Sequence, residues 1–418
     1  MVTKQTSSEQ ELREVHPEGS RSTIPLLTAL TALGSISVSI YLPSLPSLAL
    51  SLHATPALVK LTLTVFLFVF AISQLVYGPL SDRFGRKPPI LVGLTIYLLG
   101  SIACALAPSV SALIFARFVQ GFGAAAGPAL GRAVLRDLFS GDRLTSSLAT
   151  VAAAVALSPM VGPVIGGYLQ VSFGWKSCFI FLSIASVLVG FGVFLLLPES
   201  NSHVSPNGLK LATIRRNYTT LLRDQEYVAA LLCGGMLTAG NFAWTAGAPF
   251  LFRDVYHFSP DQYGNIALPI GAGYVAGTFM SGRLSKRITA PILVYGGMGA
   301  AFASGAVLLL IGGTLHSYPI VVALVTTFTA GMGVVMPMSA ACALSRHPEI
   351  AGSAAGLLGS LQILTGTLGT LAIRFVRSPA VSPIALILTI TSLLSTLAAY
   401  VALKPFRDRV VPSRVRLA

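Results

Sequence analysis

The chain has 418 residues, of which 54% are hydrophobic and only 10% charged, and its formal net charge is +14. Soluble domains carry about a quarter charged residues, so charge cannot keep this surface in water, and lipid must be its solvent. A hydrocarbon core about 30 Å thick takes roughly 20 helical residues per crossing, and twelve such segments fit with little left over.

Residues 1–23 are polar, with Glu9, Glu11, Glu14 and Glu18. They lack the basic start and small-residue cleavage site of a secretory signal, so a short cytoplasmic tail before an uncleaved first span is expected. Span 1 covers 24–50, and Pro43 and Pro46 should bend or break its outer half. Span 2 (57–80) ends in a charged island, Gly78-Pro79-Leu80-Ser81-Asp82-Arg83-Phe84-Gly85-Arg86-Lys87-Pro88. Span 3 covers 89–106. Span 4 (111–135) carries Arg117 and Gln120, and span 5 (144–170) carries Gly162-Pro163-Val164-Ile165-Gly166-Gly167. Span 6 covers 176–197. Residues 198–226 are polar and read as a cytoplasmic linker between two six-span halves, 24–197 and 227–403. Spans 7 to 12 follow at 227–252, 261–281, 289–312, 317–344, 350–373 and 381–403, with a basic cytoplasmic tail at 404–418. Gly282-Arg283-Leu284-Ser285-Lys286-Arg287, about half a chain beyond the island, repeats four of its first six residues. That repeat places both islands on one side, as parallel duplication requires.

The basic residues are sorted by side. With the first span leaving the cytoplasm, the outer side holds only Lys60, Lys176, Arg253, Arg374 and Arg377, and Arg117 lies within a span. All others fall on the inner side, which is the positive-inside pattern and argues against nucleic acid as a partner. Cys104, Cys178, Cys233 and Cys342 lie in apolar segments without ligand-like spacing, so they read as small buried hydrophobes rather than disulfides or metal ligands.

Glycine within membrane helices lets backbones approach closely. Gly162, Pro163, Gly166 and Gly167 therefore read either as a packing seam or as a hinge or seal. The expense of a charge inside a span leaves Arg117 facing a wet cavity or a partner, or else snorkelling to the interface. Polar and aromatic groups in spans 1, 4, 7, 8 and 11 are divided between cavity lining and interhelical packing: Ser39, Tyr41, Gln120, Asn241, Trp244, Tyr274 and Gln362. Asn241 and Trp244 are three apart and share a helix face.

Several of these motifs resemble one family. The island is similar to the loop signature G-x-L-x-D-R-x-G-R-K/R of the major facilitator superfamily. Ala116-Arg117-Phe118-Val119-Gln120-Gly121-Phe122-Gly123 resembles its span 4 motif, and Gly162 to Gly167 its span 5 antiporter motif. Tyr41-Leu42-Pro43-Ser44-Leu45-Pro46, Arg136-Asp137-Leu138-Phe139, and Ala351-Gly352-Ser353-Ala354-Ala355 with Gln362 resemble the bicyclomycin and chloramphenicol resistance branch (Bcr/CflA) of the twelve-span drug:proton antiporters. The resemblance implies an all-α fold of two pseudo-symmetric six-helix halves. It implies efflux of small amphipathic molecules from a bacterial inner membrane, with a proton as coupling ion, no other cofactor and a monomeric state. It also implies a cytoplasmic gate of Gly78, Asp82, Arg83, Gly85 and Arg86. A carboxylate there can pair with Arg83 or Arg86, or sit at the positive N-terminus of a neighbouring helix. The resemblance implies that the gate latches the halves on the cytoplasmic side when the transporter faces outward, with Asp82 capping the start of span 11 and Arg136 and Asp137 completing the network; a topogenic basic loop is the plainer alternative. Arg117 would bind substrate or influence proton release.

One departure weakens the coupling expectation. Relatives in this branch carry an aspartate before the I/M-Y-L-P sequence of span 1, and here that position is Ser39. None of the 14 acidic residues falls in the middle third of a predicted span. Arg117 stays protonated and cannot carry a proton. Asp137 belongs to the inner rim, Asp254 to the outer end of span 7, and His316 to the outer start of span 10. An uncoupled facilitator or a differently coupled exporter is the second expectation, and a non-transporting membrane receptor the third. No G-x-S-x-G or H-E-x-x-H motif points to an enzyme.

Overall fold

A computed structural model describes residues 20–201, 211–312, 317–376 and 380–402. His316, Arg377 and most of both tails lie outside the described residues. Every regular element among them is helical. Span 1 is α1 (Ser20–Ser39), a 3-10 turn (Leu42–Ser44) and α2 (Leu45–Ser51). The break falls at Pro43 and Pro46, which lack the N–H that a continuing helix needs. Span 2 is α3 (Pro56–Phe84), span 3 α4 (Lys87–Leu106), and span 4 is α5 (Val110–Ala124) followed by α6 (Ala126–Leu138). Span 5 is α7 (Gly141–Phe173), unbroken across Pro159 and Pro163, and span 6 is α8 (Lys176–Leu196). The linker holds an amphipathic helix, α9 (Leu211–Arg223), which buries Leu221 and exposes Arg215 and Arg216. Spans 7 to 12 are α10 (Gln225–Asp254), α11 (Pro260–Leu284), α12 (Ala290–Ile311), α13 (Tyr318–Ser345), α14 (Ala351–Arg374) and α15 (Val381–Ala402).

Side chains set several helix starts. The Thr55 hydroxyl accepts from Leu58 N at 3.4 Å, that of Ser109 from Ala112 N at 3.2 Å, and the Asp224 carboxylate from Glu226 N at 2.9 Å. Each satisfies an amide that the first helical turn leaves without a partner. Gly85 ends α3 with φ +85°, a conformation that disfavours a side chain.

The packing repeats after six spans. Span 3 lies on spans 4 and 6, and span 9 on spans 10 and 12; span 1 lies on span 5, and span 7 on span 11; span 2 lies on span 4, and span 8 on span 10. The two halves meet where span 2 packs on span 11 and span 5 on span 8.

Eleven stretches among the described residues are long and apolar enough to cross a membrane. Span 8 is not one of them. Its apolar residues are diluted by Gly264, Gly271, Gly273 and Gly277, and each of these glycines is pressed against another helix, at Pro163, Met160, Thr326 and Ala330 respectively. Span 8 therefore gives its glycine faces to protein contact, while Leu268, Phe279 and Met280 stay exposed on the remaining one.

Candidate functional site: a cavity between the halves

A cavity of about 540 Å³ lies between the two halves, lined from spans 1, 2, 4, 5, 7, 8, 10 and 11. Ser39, Asn241, Trp244, Tyr274 and Gln362 are in its wall, so the shared face of Asn241 and Trp244 turns inward. Sequence reasoning missed Gln74, Arg132, Phe70, Phe242, Tyr263, Met332 and Met336. Gln74 had a signal, being an amide inside an apolar span. Arg132 is one of the basic residues that charge sorting assigns to the inner side, and it forms part of the wall. No described lining residue is an aspartate, glutamate or histidine.

Tyr41, Arg117 and Gln120 do not line this cavity. Arg117 is 0% exposed, enclosed within the first half. It neither snorkels to the interface nor meets the cavity. Its guanidinium lies 3.9 Å from the centre of the Phe66 ring, 4.4 Å from Tyr41 and 5.9 Å from Phe179. Nη1 donates to Gln120 Oε1 at 2.6 Å, and Nη1 and Nη2 reach the Ser37 carbonyl at 3.4 Å. Gln120 Nε2 in turn donates to Ser101 Oγ at 2.8 Å. A desolvated cation over an aromatic face gains about 2 kcal/mol or more, so three rings and two carbonyl oxygens hold this charge without a carboxylate.

Ser39 marks the meeting of span 1 with span 5. Its hydroxyl donates to the Ser158 carbonyl at 3.0 Å. A Cβ on Gly162 would overlap Ser39, and one on Gly166 would overlap the Ile40 carbonyl. Gly167 and Gly264 do the same across the halves: a Cβ on Gly167 would strike Pro260 and Asp261, and one on Gly264 would strike Pro163. The span 5 motif is thus a close-packed seam in a helix that continues across both prolines.

At the end of the molecule opposite the islands, side chains bridge the two halves. Lys60 Nζ donates to the Ile373 carbonyl at 3.3 Å, Thr64 Oγ1 to Thr370 Oγ1 at 2.8 Å, and Arg253 Nη1 to the Pro46 carbonyl at 3.2 Å. All three bonds join one half to the other. At the island end, each charge network closes within its own half. In the first half, Arg86 Nη1 pairs with Asp82 at 2.7 Å and its Nε with Asp137 at 2.8 Å. Glu199, which sequence reasoning missed, accepts from Arg86 N at 2.7 Å and Lys87 N at 3.1 Å, at the start of α4. Burial opposes its charge, but these amides and those of Asn201 and Ser200 hold its carboxyl below the ordinary value. In the second half, Asp224 Oδ2 pairs with Arg346 Nε at 3.1 Å and His347 Nε2 at 2.8 Å, while Glu226 also pairs with Arg346. Burial raises the Asp224 carboxyl, and the His347 and Arg346 hydrogen bonds outweigh it, leaving the group below its ordinary value.

The gate residues take these places in this conformation. Asp82 chooses Arg86 over Arg83, whose guanidinium lies over the Phe84 ring at 5.1 Å. Among the described residues Asp82 does not cap span 11; Arg136, which makes no described ion pair, is the side chain that comes near Gly352 at its start. Gly78 has open space where a Cβ would be, so close packing does not require it here. Gly85 is required twice over, by its φ and by Glu199, whose Oε2 lies 2.6 Å from where its Cβ would be. At this end the halves still touch, through Arg136 near Gly352 and Leu75 against the cluster of Tyr227, Ala354 and Leu358, but Asp82 is committed to Arg86. The four cysteines are buried and free.

Two pseudo-symmetric six-helix bundles around a central cavity, bridged at one end, define a membrane transporter. The chain belongs to the Major Facilitator Superfamily, whose model matches residues 27–370. It is 32% identical over 379 residues to the uncharacterized MFS-type transporter YdgK of Bacillus subtilis, covering 90% of this chain and 94% of that one. It is 30% identical over 375 residues to the bicyclomycin resistance protein homolog of Haemophilus influenzae, again covering 90% and 94%. To multidrug resistance protein D of Escherichia coli it is 29% identical over 352 residues, covering 83% and 87%. Its fold is also that of a bacterial homolog of the lysosomal transporter Spinster in an inward-facing, occupied conformation, with a TM-score of 0.70, 13% identity, and 92% and 96% of the two chains covered.

Proposed function

We propose that this protein exports small, amphipathic, drug-like molecules from the cytoplasm across a bacterial inner membrane by alternating access, with proton antiport as the driving reaction. The observation that carries the reading is the cavity between halves whose described cross-half hydrogen bonds Lys60–Ile373, Thr64–Thr370 and Arg253–Pro46 lie at the far end. With the islands cytoplasmic, as the positive-inside pattern argues, this is the inward-facing member of the cycle. Closing the island end would bring Asp82 and Arg136 towards the start of span 11, and opening the far end would break the Lys60, Thr64 and Arg253 bonds. The resistance relatives support export, and the mixed aromatic and amide wall suits amphipathic cargo. In this reading the domain limits are 24–197 and 227–403, both termini are cytoplasmic, and the functional unit is a monomer with no catalytic role.

A second reading, an uncoupled facilitator, is favoured by one specific observation: the described wall holds no carboxylate or imidazole, and Ser39 stands at the position where the branch carries aspartate. Efflux from reconstituted vesicles under an imposed pH gradient at zero membrane potential separates the two. Antiport predicts accumulation that follows the gradient and collapses with a protonophore. Efflux indifferent to the gradient supports the facilitator.

A further inference from the structure

The described wall carries one formal charge, Arg132. It sits in α6, below the Ala125 junction of span 4. Among the described residues its guanidinium makes one hydrogen bond, from Nε to the Pro128 carbonyl of its own helix at 3.0 Å, and no ion pair. Arginine has five N–H donors in a planar fork suited to carboxylates and phosphates, so most of this fork is uncommitted. Two neutral amides in the same wall, Gln74 and Gln362, have Nε2 atoms without an acceptor among the described residues. The rest of the surface is dominated by Phe70, Phe242, Trp244, Tyr263, Met332 and Met336. The wall therefore holds a cation and spare donors, and no described carboxylate to balance a second cation.

We infer that the cavity selects amphipathic organic anions, with Arg132 receiving a carboxylate, phenolate or sulfonate head and the aromatic wall receiving the apolar body. This rests on the transporter reading above and gives its substrate class. A charge-assisted, bidentate hydrogen bond is about twice as strong as a neutral one, and exclusion of water strengthens it further. A lipophilic cation of the same shape meets like charge, which an interface penalises directly.

The test uses the full-length protein in detergent and three probes with one apolar body: biphenyl-4-carboxylate, biphenyl-4-carboxamide and the trimethylammonium analogue, measured by calorimetry at neutral pH. The carboxylate should bind about tenfold more tightly than the ammonium, with the amide between them. Arg132→Gln should reduce carboxylate affinity to the amide's level and leave the amide within about twofold, whereas Arg132→Lys should keep the order of the three. Equal or tighter ammonium binding by the native protein overturns the inference, and so does carboxylate affinity unchanged in Arg132→Gln. The native probe series decides the matter even where a variant fails to fold. Because binding is read without a gradient, anion selectivity with no vesicle efflux defeats the export reading alone. Efflux that prefers the ammonium probe defeats the anion inference alone.

Discussion

Gly264→Ala tests the far-end contact between the halves most directly. Gly264 starts span 8 and touches the Pro163 backbone of span 5, so this contact joins the two halves. A Cβ there would overlap a carbonyl oxygen, and backbone cannot rotate away as a side chain does. Overpacking of this kind costs about 1–3 kcal/mol. Only the far-end-closed state bears that cost, because separating the halves removes the contact. The equilibrium should move towards the far-end-open state by a factor of about 5–150. Gly166→Ala is the control of opposite kind. Its Cβ would overlap Ile40 within one half, a contact present in both states, so it should lower thermal stability with little conformational bias. Spin labels at Leu50 and Phe375, which are 61% and 79% exposed at the far end of opposite halves, report the gap by electron–electron distance measurement. The four native cysteines are buried and should not compete for label. Gly264→Ala should populate a longer distance. An unchanged distribution together with a native melting temperature would refute the argument that this seam closes the far end.

Further predictions concern the charge networks and the buried arginine. Asp82→Asn should sharply reduce transport and leave membrane insertion intact; its stability cost in this state should be below about 1 kcal/mol, because the Asp82 side chain is 53% exposed. Native transport rates in that variant would count against a gating role. Arg117→Ala should lower the melting temperature as well as transport, since it empties the space between Tyr41, Phe66 and Phe179; lost turnover at a native melting temperature would point instead to a direct role in the cycle. The depressed Asp224 carboxyl makes the unfolded chain bind its proton first as pH falls. Its stabilisation is therefore complete above the ordinary aspartate value of 3.8 and is lost as pH drops through the lower folded value. Acid melting curves should show Asp224→Asn with a shallower loss over that window, and identical acid limbs would contradict the pairing with His347 and Arg346.

The sequence by itself determined the solvent and the helical spans. Apolar length is a local property, and the island and its copy near Gly282 are contiguous stretches. The break at Pro43 and Pro46 was legible for the same reason: a missing N–H acts on its own helix. Asn241 and Trp244 were grouped by helical spacing, and both reach the cavity. Which way most other side chains turn was decided by tertiary structure. Membrane helices apolar all round carry little amphipathic signal, so spacing within a span does not say which face meets protein, lipid or cavity. Arg117 and Arg132 show the consequence. Both are arginines of span 4; one is enclosed by three aromatic rings of its own half, and the other, past the junction at Ala125, forms part of the cavity wall. The pairing of Arg86 with Asp82 and Asp137, and the amide contacts of Glu199, likewise depend on segments far apart in the chain. The glycines of span 5 were visible as a motif. That Gly162 and Gly166 meet span 1 while Gly167 meets span 8 is fixed only once the two halves have packed.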